Sequence, residues 1–165
     1  MQPLPLSSFA AALKPLLSEP FIPAPDTLVS EIANNSSKVE PGTLFVAIRG
    51  AKADGHRFLP DAVQKGAAAL IVAADYDGPL PPGLPVLRVS DSYFAWSVVC
   101  ETFFRRPSDA FRVHTVTGTN GKTSTAYFMR HYLDTVKSGS KTALVSTVCC
   151  VFPSITVVSL LPWQR

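Results

Sequence analysis

A glycine-containing loop in the second half of the chain constrains the possible fold more than any other feature of the sequence. The loop reads Gly-Thr-Asn-Gly-Lys-Thr over residues 118–123. It follows a β-branched run, Arg112–Thr117, and precedes the helix-like stretch AYFMRHYLDTV. Because β-branched residues favour strands, the sequence predicts a strand, a tight turn and a helix in that order. This arrangement is typical of α/β folds in which unpaired amides at a helix N-terminus bind phosphate.

The residue types in the loop suit a nucleoside triphosphate with its metal ion. Glycine lets the backbone turn tightly beside phosphate oxygens, lysine reaches the terminal phosphates, and a threonine hydroxyl binds Mg²⁺. Val116 stands where the general P-loop pattern has glycine, so the loop is a variant of that pattern. The alternative is a simple turn followed by a surface lysine, since glycine and asparagine are common turn residues. The β-branched run before the loop and the helical stretch after it favour phosphate binding.

Upstream of the loop, short apolar runs alternate with a helical segment. Thr43–Ile48 and Ala67–Ala74 read as buried strands, and the segment 58–66 between them predicts a helix that ends at Gly66. A helix between two strands favours parallel pairing. A third strand is expected at PVLRV, residues 85–89, followed by a helix that Asp91 or Ser92 caps and that runs to about Phe104.

The ends of the chain give weaker signals. A short helix is expected around Ser8–Leu17, as a lead-in outside the core, because prolines surround it. Ala143–Val148 predicts another strand, and the segment after it shows no periodicity that we can interpret. The prediction is therefore of an α/β fold whose best-defined strands lie before residue 90.

Composition excludes several classes of protein. The chain has 165 residues, which fits one or two small domains, and its net charge of +3 is too small for the basic surface of a nucleic-acid-binding protein. The uncharged run at residues 142–164 is long enough to cross a bilayer, but its serines, threonines and two prolines argue against a membrane span. Three cysteines without C-x-x-C spacing and an N-terminus without a signal-peptide pattern favour the cytoplasm.

The motif VTGTNGKTST, with the upstream segment NSSKVEPGTLFVAIRGAKADGHRFLPDAVQKGAAALIV, resembles the Mur ligase family. The resemblance extends from about Ile32 to Val148 and is strongest to ligases that add the third residue to UDP-N-acetylmuramoyl-dipeptide. It implies a UDP-substrate-binding α/β domain at residues 1–87, then a linker helix and the truncated start of a P-loop central domain at residues 88–165. It also implies ATP and Mg²⁺ as cofactors and an acyl-phosphate reaction in peptidoglycan precursor synthesis.

The same resemblance assigns site residues by position. It implies that Lys122 is catalytic and that Thr123 binds Mg²⁺ through its hydroxyl. Where family members read Asp-Ser-Arg before the first strand, this chain reads Asn35-Ser36-Ser37, so two charged partners of the uridine nucleotide are absent. The ATP contacts implied are Gly118, Thr119, Asn120, Gly121, Lys122, Thr123 and Ser124, and the contacts to the UDP substrate are Asn34, Ser36, Ala51, Lys52 and Ala53.

Several groups that the ligation reaction needs are not found after the loop. The only acidic residue after Lys122 is Asp134, about three helical turns farther along. We therefore expect the 165 residues alone not to catalyse ligation. A non-catalytic nucleotide-binding module and an inert fragment are the alternatives, and the amino acid added and the oligomeric state stay open. His56, His114 and His131 lack metal-ligand spacing and are expected to be ordinary surface or partly buried residues.

Overall fold

The computed structural model describes residues 2–21, 27–50, 53–110, 112–136, 142–145, 150–152 and 155–157. The chain divides into two compact units, residues 1–112 and residues 113–165. The first unit contains strands β1 (Leu4–Pro5), β2 (Leu28–Val29), β3 (Glu31–Ala33), β4 (Thr43–Val46), β5 (Ala69–Ala73) and β6 (Val86–Val89), with helices α1 (Leu6–Leu13), α2 (Leu59–Gln64) and α3 (Ser92–Phe103).

A four-stranded parallel sheet, in the order β3-β4-β5-β6, forms the centre of the first unit. Leu44 of β4 pairs with Ala69 of β5, and Leu70 of β5 pairs with Val86 of β6. All five residues of β5 are buried. Strands covered on both faces have continuous apolar sequences, and this is why ALIVA appears as an unbroken run. The predicted strands and their parallel pairing are confirmed.

Two hydrophobic cores lie on opposite faces of this sheet. Leu44, Val46 and Ile71 pack in the cluster that contains residues of α1 and α3, whereas Phe45 and Leu70 pack with residues of α2. Alternate residues of a strand point to opposite faces, so each apolar strand serves both cores. The result is a three-layer α/β unit with α2 on one side and α1 and α3 on the other.

Helix α1 belongs to the core, so the expectation of a lead-in outside the core was wrong. Leu6, Phe9 and Leu13 are fully buried, and the helix spans Leu6–Leu13 instead of residues 8–17. The spacing of three and four residues places these side chains on one helical face. The surrounding prolines obscure this pattern in the sequence, because prolines are unfavourable inside a helix.

Helix α3 has the expected position and cap. Asp91 accepts a hydrogen bond of 2.9 Å from the N–H of Phe94, so the predicted N-terminal cap is confirmed. After the helix, Arg105 and Arg106 have φ of 58° and 55°, and both side chains are exposed. The first unit includes β6 and α3, so the predicted limit at residue 87 falls inside strand β6. The division of function between residues 1–87 and 88–165 stays a prediction.

The second unit contains helix α4 (Lys122–Val136) and strands β7 (Leu144–Val145), β8 (Cys150–Phe152) and β9 (Ile155–Val157). These strands form a three-stranded antiparallel sheet in the order β7-β8-β9. The predicted strand at 143–148 is present at 144–145, and residues 146–148 lie outside the described part of the chain. Within the described residues, no helix has the length and apolar character needed to cross a bilayer.

Candidate functional site

The carboxyl ends of β3, β4, β5 and β6 lie at one edge of the parallel sheet, where α/β proteins commonly bind ligands. The turn after β3 carries Asn34 and Ser36, and the loop after β4 carries Ala53, so three of the predicted UDP contacts lie at this edge. Asn34 and Ala53 are exposed and Ser36 is buried. Ala51 and Lys52 lie outside the described residues. The role of all five in nucleotide binding stays a prediction.

Hydrogen bonds from within the turn and from Lys65 hold the turn after β3 in place. The Asn35 side chain accepts a hydrogen bond of 3.0 Å from the N–H of Ser37 and so caps a single 3₁₀ turn at Ser36–Lys38. The Lys65 ammonium donates to the Ser36 carbonyl at 2.9 Å and to Asp61 at 3.0 Å. A hydrogen bond from the Ser36 side chain, followed by one from Lys65, lowers the pKa of Asp61. The Ser36 hydroxyl therefore already donates its hydrogen to a protein partner, and only the lone pairs of its oxygen are available to a ligand.

Backbone hydrogen bonds pair the two described sides of the loop after β4, residues 48–50 and 53–55. Gly50 N–H donates to the Ala53 carbonyl at 3.0 Å, and Gly55 N–H donates to the Ile48 carbonyl at 2.8 Å. Between these bonds, Arg49 and Asp54 form an antiparallel bridge. The base of this hairpin is thus held by backbone bonds at the carboxyl edge of the sheet.

Gly55 is the position in this hairpin that tolerates a side chain least. We expect Gly55→Ala to lower the free energy of unfolding by about 1–3 kcal/mol, because the added Cβ would lie 2.6 Å and 2.7 Å from the backbone O and N of Ile48. Urea unfolding followed by circular dichroism measures the loss. Gly83→Ala is the control, since its Cβ would meet nothing within 4 Å and only its φ of +79° carries a cost. A smaller loss in Gly55→Ala than in the control would contradict the close packing described here.

Charged side chains surround the base of the hairpin. Arg49 pairs with Asp75 at 2.8 Å and with Asp54 at 3.7 Å. The hydrogen bond from Arg49 lowers the pKa of Asp75. Desolvation acts to raise the pKa of Asp54, but the backbone and ring hydrogen bonds from His56 outweigh it, and the pKa lies below its usual value. Both carboxylates are therefore ionised at neutral pH, and both face the single guanidinium of Arg49.

His56 is a component of the site that sequence reasoning missed. It is 3% exposed, its Nδ1 lies 2.5 Å from Asp54 Oδ1, and its Nε2 lies 2.9 Å from the N–H of Ala73. The ring of Tyr76 stacks on the imidazole with centroids 4.5 Å apart. The search for metal-ligand spacing gave no signal for these contacts, because the partners of His56 are a carboxylate two residues away and a backbone amide of another strand.

An open cleft of about 490 Å³ lies along the same edge, after β4, β5 and β6. Several polar groups that line it are paired within the protein. Ser90 Oγ donates to the Leu16 carbonyl, and Asp91 caps α3. The residues lining the cleft are Arg49, Ala73, Ala74, Asp75, Ser90, Asp91, Ser92 and Tyr93.

At the second predicted site, residues 118–123, a helix follows the loop, but the strand expected before the loop is not present. Helix α4 begins at Lys122, four residues before the predicted helical stretch AYFMRHYLDTV. Residues 112–117 form no strand, so that part of the prediction was wrong. A strand requires a neighbour for its backbone hydrogen bonds. Within the described residues, the only strand of this unit near the helix in sequence is β7, and it pairs with β8. β-Branched composition alone therefore did not produce a strand.

The geometry of the loop itself suits phosphate. Gly118 and Gly121 have φ of +147° and +74°, values that favour glycine. No acceptor in the described part of the chain takes a backbone hydrogen bond from the N–H groups of residues 118–121. Lys122 Nζ donates to the carbonyls of Gly118 at 2.5 Å and Thr119 at 3.2 Å, so the ammonium lies over the loop. Unpaired amides, a helix N-terminus and a lysine together form a set of donors that fits a phosphate chain.

The other predicted residues of this loop are accessible. Asn120 and Ser124 are exposed, and Thr123 is half-buried in the first turn of α4. No group of three or more His, Cys, Asp or Glu side chains that could hold a metal is present among the residues that the structure describes. The role of Thr123 in binding Mg²⁺ stays a prediction.

Comparison with known proteins identifies the family. Residues 28–89 match the model described as "Mur ligase family, catalytic domain". A UDP-N-acetylmuramyl-tripeptide synthetase of Deinococcus radiodurans is 41% identical over 143 residues, 87% of this chain and 28% of the relative. The chain therefore belongs to the Mur ligase family, as the resemblance predicted.

Other relatives have names that describe ligases of a UDP-N-acetylmuramoyl peptide. The UDP-N-acetylmuramoyl-L-alanyl-D-glutamate--2,6-diaminopimelate ligase of Chlorobium phaeobacteroides is 43% identical over 125 residues, which cover 75% of this chain and 24% of the relative. A solved structure of a ligase with the same name has a TM-score of 0.62 at 18% identity and covers 95% of this chain and 30% of the other, which supports the fold. The chain spans about a quarter of the length of these curated relatives and matches their N-terminal part.

Proposed function

We propose that this chain supplies the substrate-recognition unit and the ATP phosphate loop of an ATP-dependent ligase of peptidoglycan precursor synthesis. The observation that carries the proposal is the match to the Deinococcus radiodurans synthetase over 87% of the chain. A continuous match of 143 residues in a chain of 165 includes both residues 34–53 and residues 118–123. The two candidate sites therefore both fall within the region shared with a tripeptide synthetase.

The two sites have different ligands in this proposal. Residues 1–87 bind the UDP part of UDP-N-acetylmuramoyl-dipeptide, through Asn34, Ser36 and residues 51–53. Residues 88–165 supply the linker helix and the loop that binds ATP. The carboxyl-edge position of the hairpin supports the first assignment, and the unpaired loop amides support the second. The proposal places the chain in the cytoplasm, together with its nucleotide-activated substrate.

The chemistry follows from the charges that the reaction develops. ATP phosphorylates the substrate carboxylate, and the amine of an amino acid then displaces phosphate from the acyl phosphate. In this proposal Lys122 neutralises negative charge on the transferred phosphoryl group, after its ammonium leaves the carbonyls of Gly118 and Thr119 that it contacts in the structure. Mg²⁺ supplies further positive charge when bound, and the Thr123 hydroxyl would hold it.

Binding without turnover is the second candidate for the 165 residues taken alone. Asp134 is the only acidic residue after Lys122 in the sequence, and it pairs with Arg130 at 3.5 Å. Phosphoryl transfer at P-loops normally uses a carboxylate from a later strand to hold Mg²⁺. We therefore propose that these residues bind both nucleotides and that the transfer step requires groups outside them.

Calorimetric titration and a phosphate-release assay test both statements on the 165-residue chain. We expect binding of UDP-N-acetylmuramoyl-dipeptide and, separately, of ATP with Mg²⁺. We expect no phosphate release when the dipeptide substrate, ATP, and diaminopimelate or lysine are combined. Failure to bind the UDP substrate would contradict the assignment of the first unit, and phosphate release that depends on the dipeptide and the amino acid would contradict inactivity.

A further inference from the structure

Lys65, directly after helix α2, joins that helix to the turn after β3. Its ammonium donates to the Ser36 carbonyl at 2.9 Å and to Asp61 at 3.0 Å. Ser36 is 29 residues away in sequence, whereas Asp61 lies four residues before Lys65 in the same helix. A lysine ammonium carries three hydrogens, so two of them have fixed partners. The two contacts hold the side chain in one direction, from the end of α2 towards the turn.

The turn itself follows a strand at the edge of the sheet. Within the described residues, β3 pairs with β4 alone, and this pairing ends where Ala33 lies opposite Phe45. Beyond that residue the backbone leaves the sheet, so ladder hydrogen bonds no longer fix its position. Ala33 and Val39, on either side of the turn, are buried in the core that contains residues of α2. Packing against α2 thus anchors the two ends of the turn, and Lys65 reaches the residues between them.

The Ser36 carbonyl is the point at which Lys65 holds the turn. This carbonyl also accepts a hydrogen bond of 3.3 Å from the N–H of Val39, which is internal to the turn and moves with it. The bond from Lys65 connects the turn to another element. The Ser36 side chain donates to Asp61 of that same helix, and Lys65 contacts the Asp61 carboxylate. Lys65 therefore supports both links between the turn and α2.

We propose that Lys65 is a positioning residue for binding of UDP-N-acetylmuramoyl-dipeptide, because it holds Asn34 and Ser36 in place. This inference rests on the proposed function, in which these two residues contact the UDP part of the substrate. The substrate binds those molecules whose turn has the binding geometry, and the apparent dissociation constant rises as their fraction falls. Lys65 keeps this fraction high through a charged donor, whose hydrogen bonds are stronger than those of neutral groups. In this role it acts through the turn and not by contact with the substrate.

Three variants separate this role from a loss of charge or of stability. Lys65→Met keeps a long, flexible side chain but has no donor for the Ser36 carbonyl or for Asp61. Lys65→Arg keeps a charged donor at this position. Lys14→Met removes an equal charge from the end of α1, which packs on the other side of the sheet from α2. Exposed ion pairs contribute little to stability, and the Lys65 and Asp61 side chains are 39% and 43% exposed, so we expect all three variants to fold.

Calorimetric titration with UDP-N-acetylmuramoyl-dipeptide and NMR spectra of the free chain test the proposal together. We expect Lys65→Met to bind about tenfold more weakly than the wild type, which is the low end of what a charged hydrogen bond contributes. Lys65→Arg should recover most of this affinity, and Lys14→Met should bind like the wild type. The carbonyl carbon of Ser36 responds to hydrogen bonding at its oxygen. Its resonance should shift in Lys65→Met and return towards the wild-type position in Lys65→Arg.

The NMR measurement needs no ligand, so the outcomes distinguish this inference from the proposed function. If Lys65→Met shifts the Ser36 resonance and still binds the substrate like the wild type, the positioning role is wrong. It is also wrong if Lys65→Arg binds as weakly as Lys65→Met, or if Lys14→Met loses as much affinity. An unchanged Ser36 resonance in Lys65→Met would overturn the link itself. If the wild type does not bind the substrate while the resonance shifts as expected, the link is present and the proposed function is what fails.

Discussion

Phe9→Ala should lower the free energy of unfolding of the first unit by about 3–5 kcal/mol. Phe9 is fully buried in helix α1 and packs in the cluster that includes Leu44, Ile71 and Val99. Removing the ring would leave a cavity between α1, the sheet and α3 that the surrounding backbone cannot fill. Urea unfolding followed by Trp96 fluorescence measures the loss, because Trp96 packs against the same cluster.

Phe94→Ala is the matched control for this measurement. Phe94 lies on α3 and is 58% exposed, so its truncation should change the free energy of unfolding by no more than about 0.5 kcal/mol. All variants should carry Trp163→Phe, which leaves Trp96 as the only tryptophan. A loss below about 1 kcal/mol in Phe9→Ala would contradict the burial of α1 in the cooperative core. It would instead agree with the sequence prediction that this helix lies outside the core.

The strands of the first unit were predictable because their chemistry is local. TLFV and ALIVA are short apolar runs bounded by breakers, and burial on both faces of a parallel sheet requires this composition. Asp91 was predictable for a similar reason, since a capping carboxylate needs only the amide three residues later. Helix α1 was not predicted as core, because its burial depends on α3, which is more than seventy residues away in sequence.

In the candidate site too, contacts between residues that are distant in sequence could not be predicted from local patterns. Its residues were assigned by resemblance, and the structure adds the contacts that hold them, such as Lys65 on the Ser36 carbonyl and His56 on the Ala73 amide. Each of these contacts joins segments at least seventeen residues apart, so no local pattern indicates them. The strand expected at residues 112–117 is not present, and here the local sequence pattern was misleading instead of missing. Its composition was favourable, but a strand also needs a partner to which it can hydrogen-bond.

Lys122→Ala should reduce the affinity for ATP with Mg²⁺ about tenfold to a hundredfold, while leaving the affinity for UDP-N-acetylmuramoyl-dipeptide unchanged. Hydrogen bonds from a charged group contribute about 1.5–3 kcal/mol, and each 1.4 kcal/mol corresponds to a factor of ten. The substitution should hardly affect folding, because Lys122 is exposed and the carbonyls of Gly118 and Thr119 that it contacts are exposed too.

Calorimetric titrations of the wild type, Lys122→Ala and Lys14→Ala measure this effect. Lys14 is an exposed lysine in the first unit, so its removal changes the net charge equally without touching the loop. If the two variants lose ATP affinity equally, the effect comes from overall charge and Lys122 has no specific role. If Lys122→Ala keeps the wild-type affinity, the phosphates do not lie at residues 118–123. The unpaired amides of the loop would then belong to an ordinary surface turn, which is the alternative that its glycine and asparagine content left open.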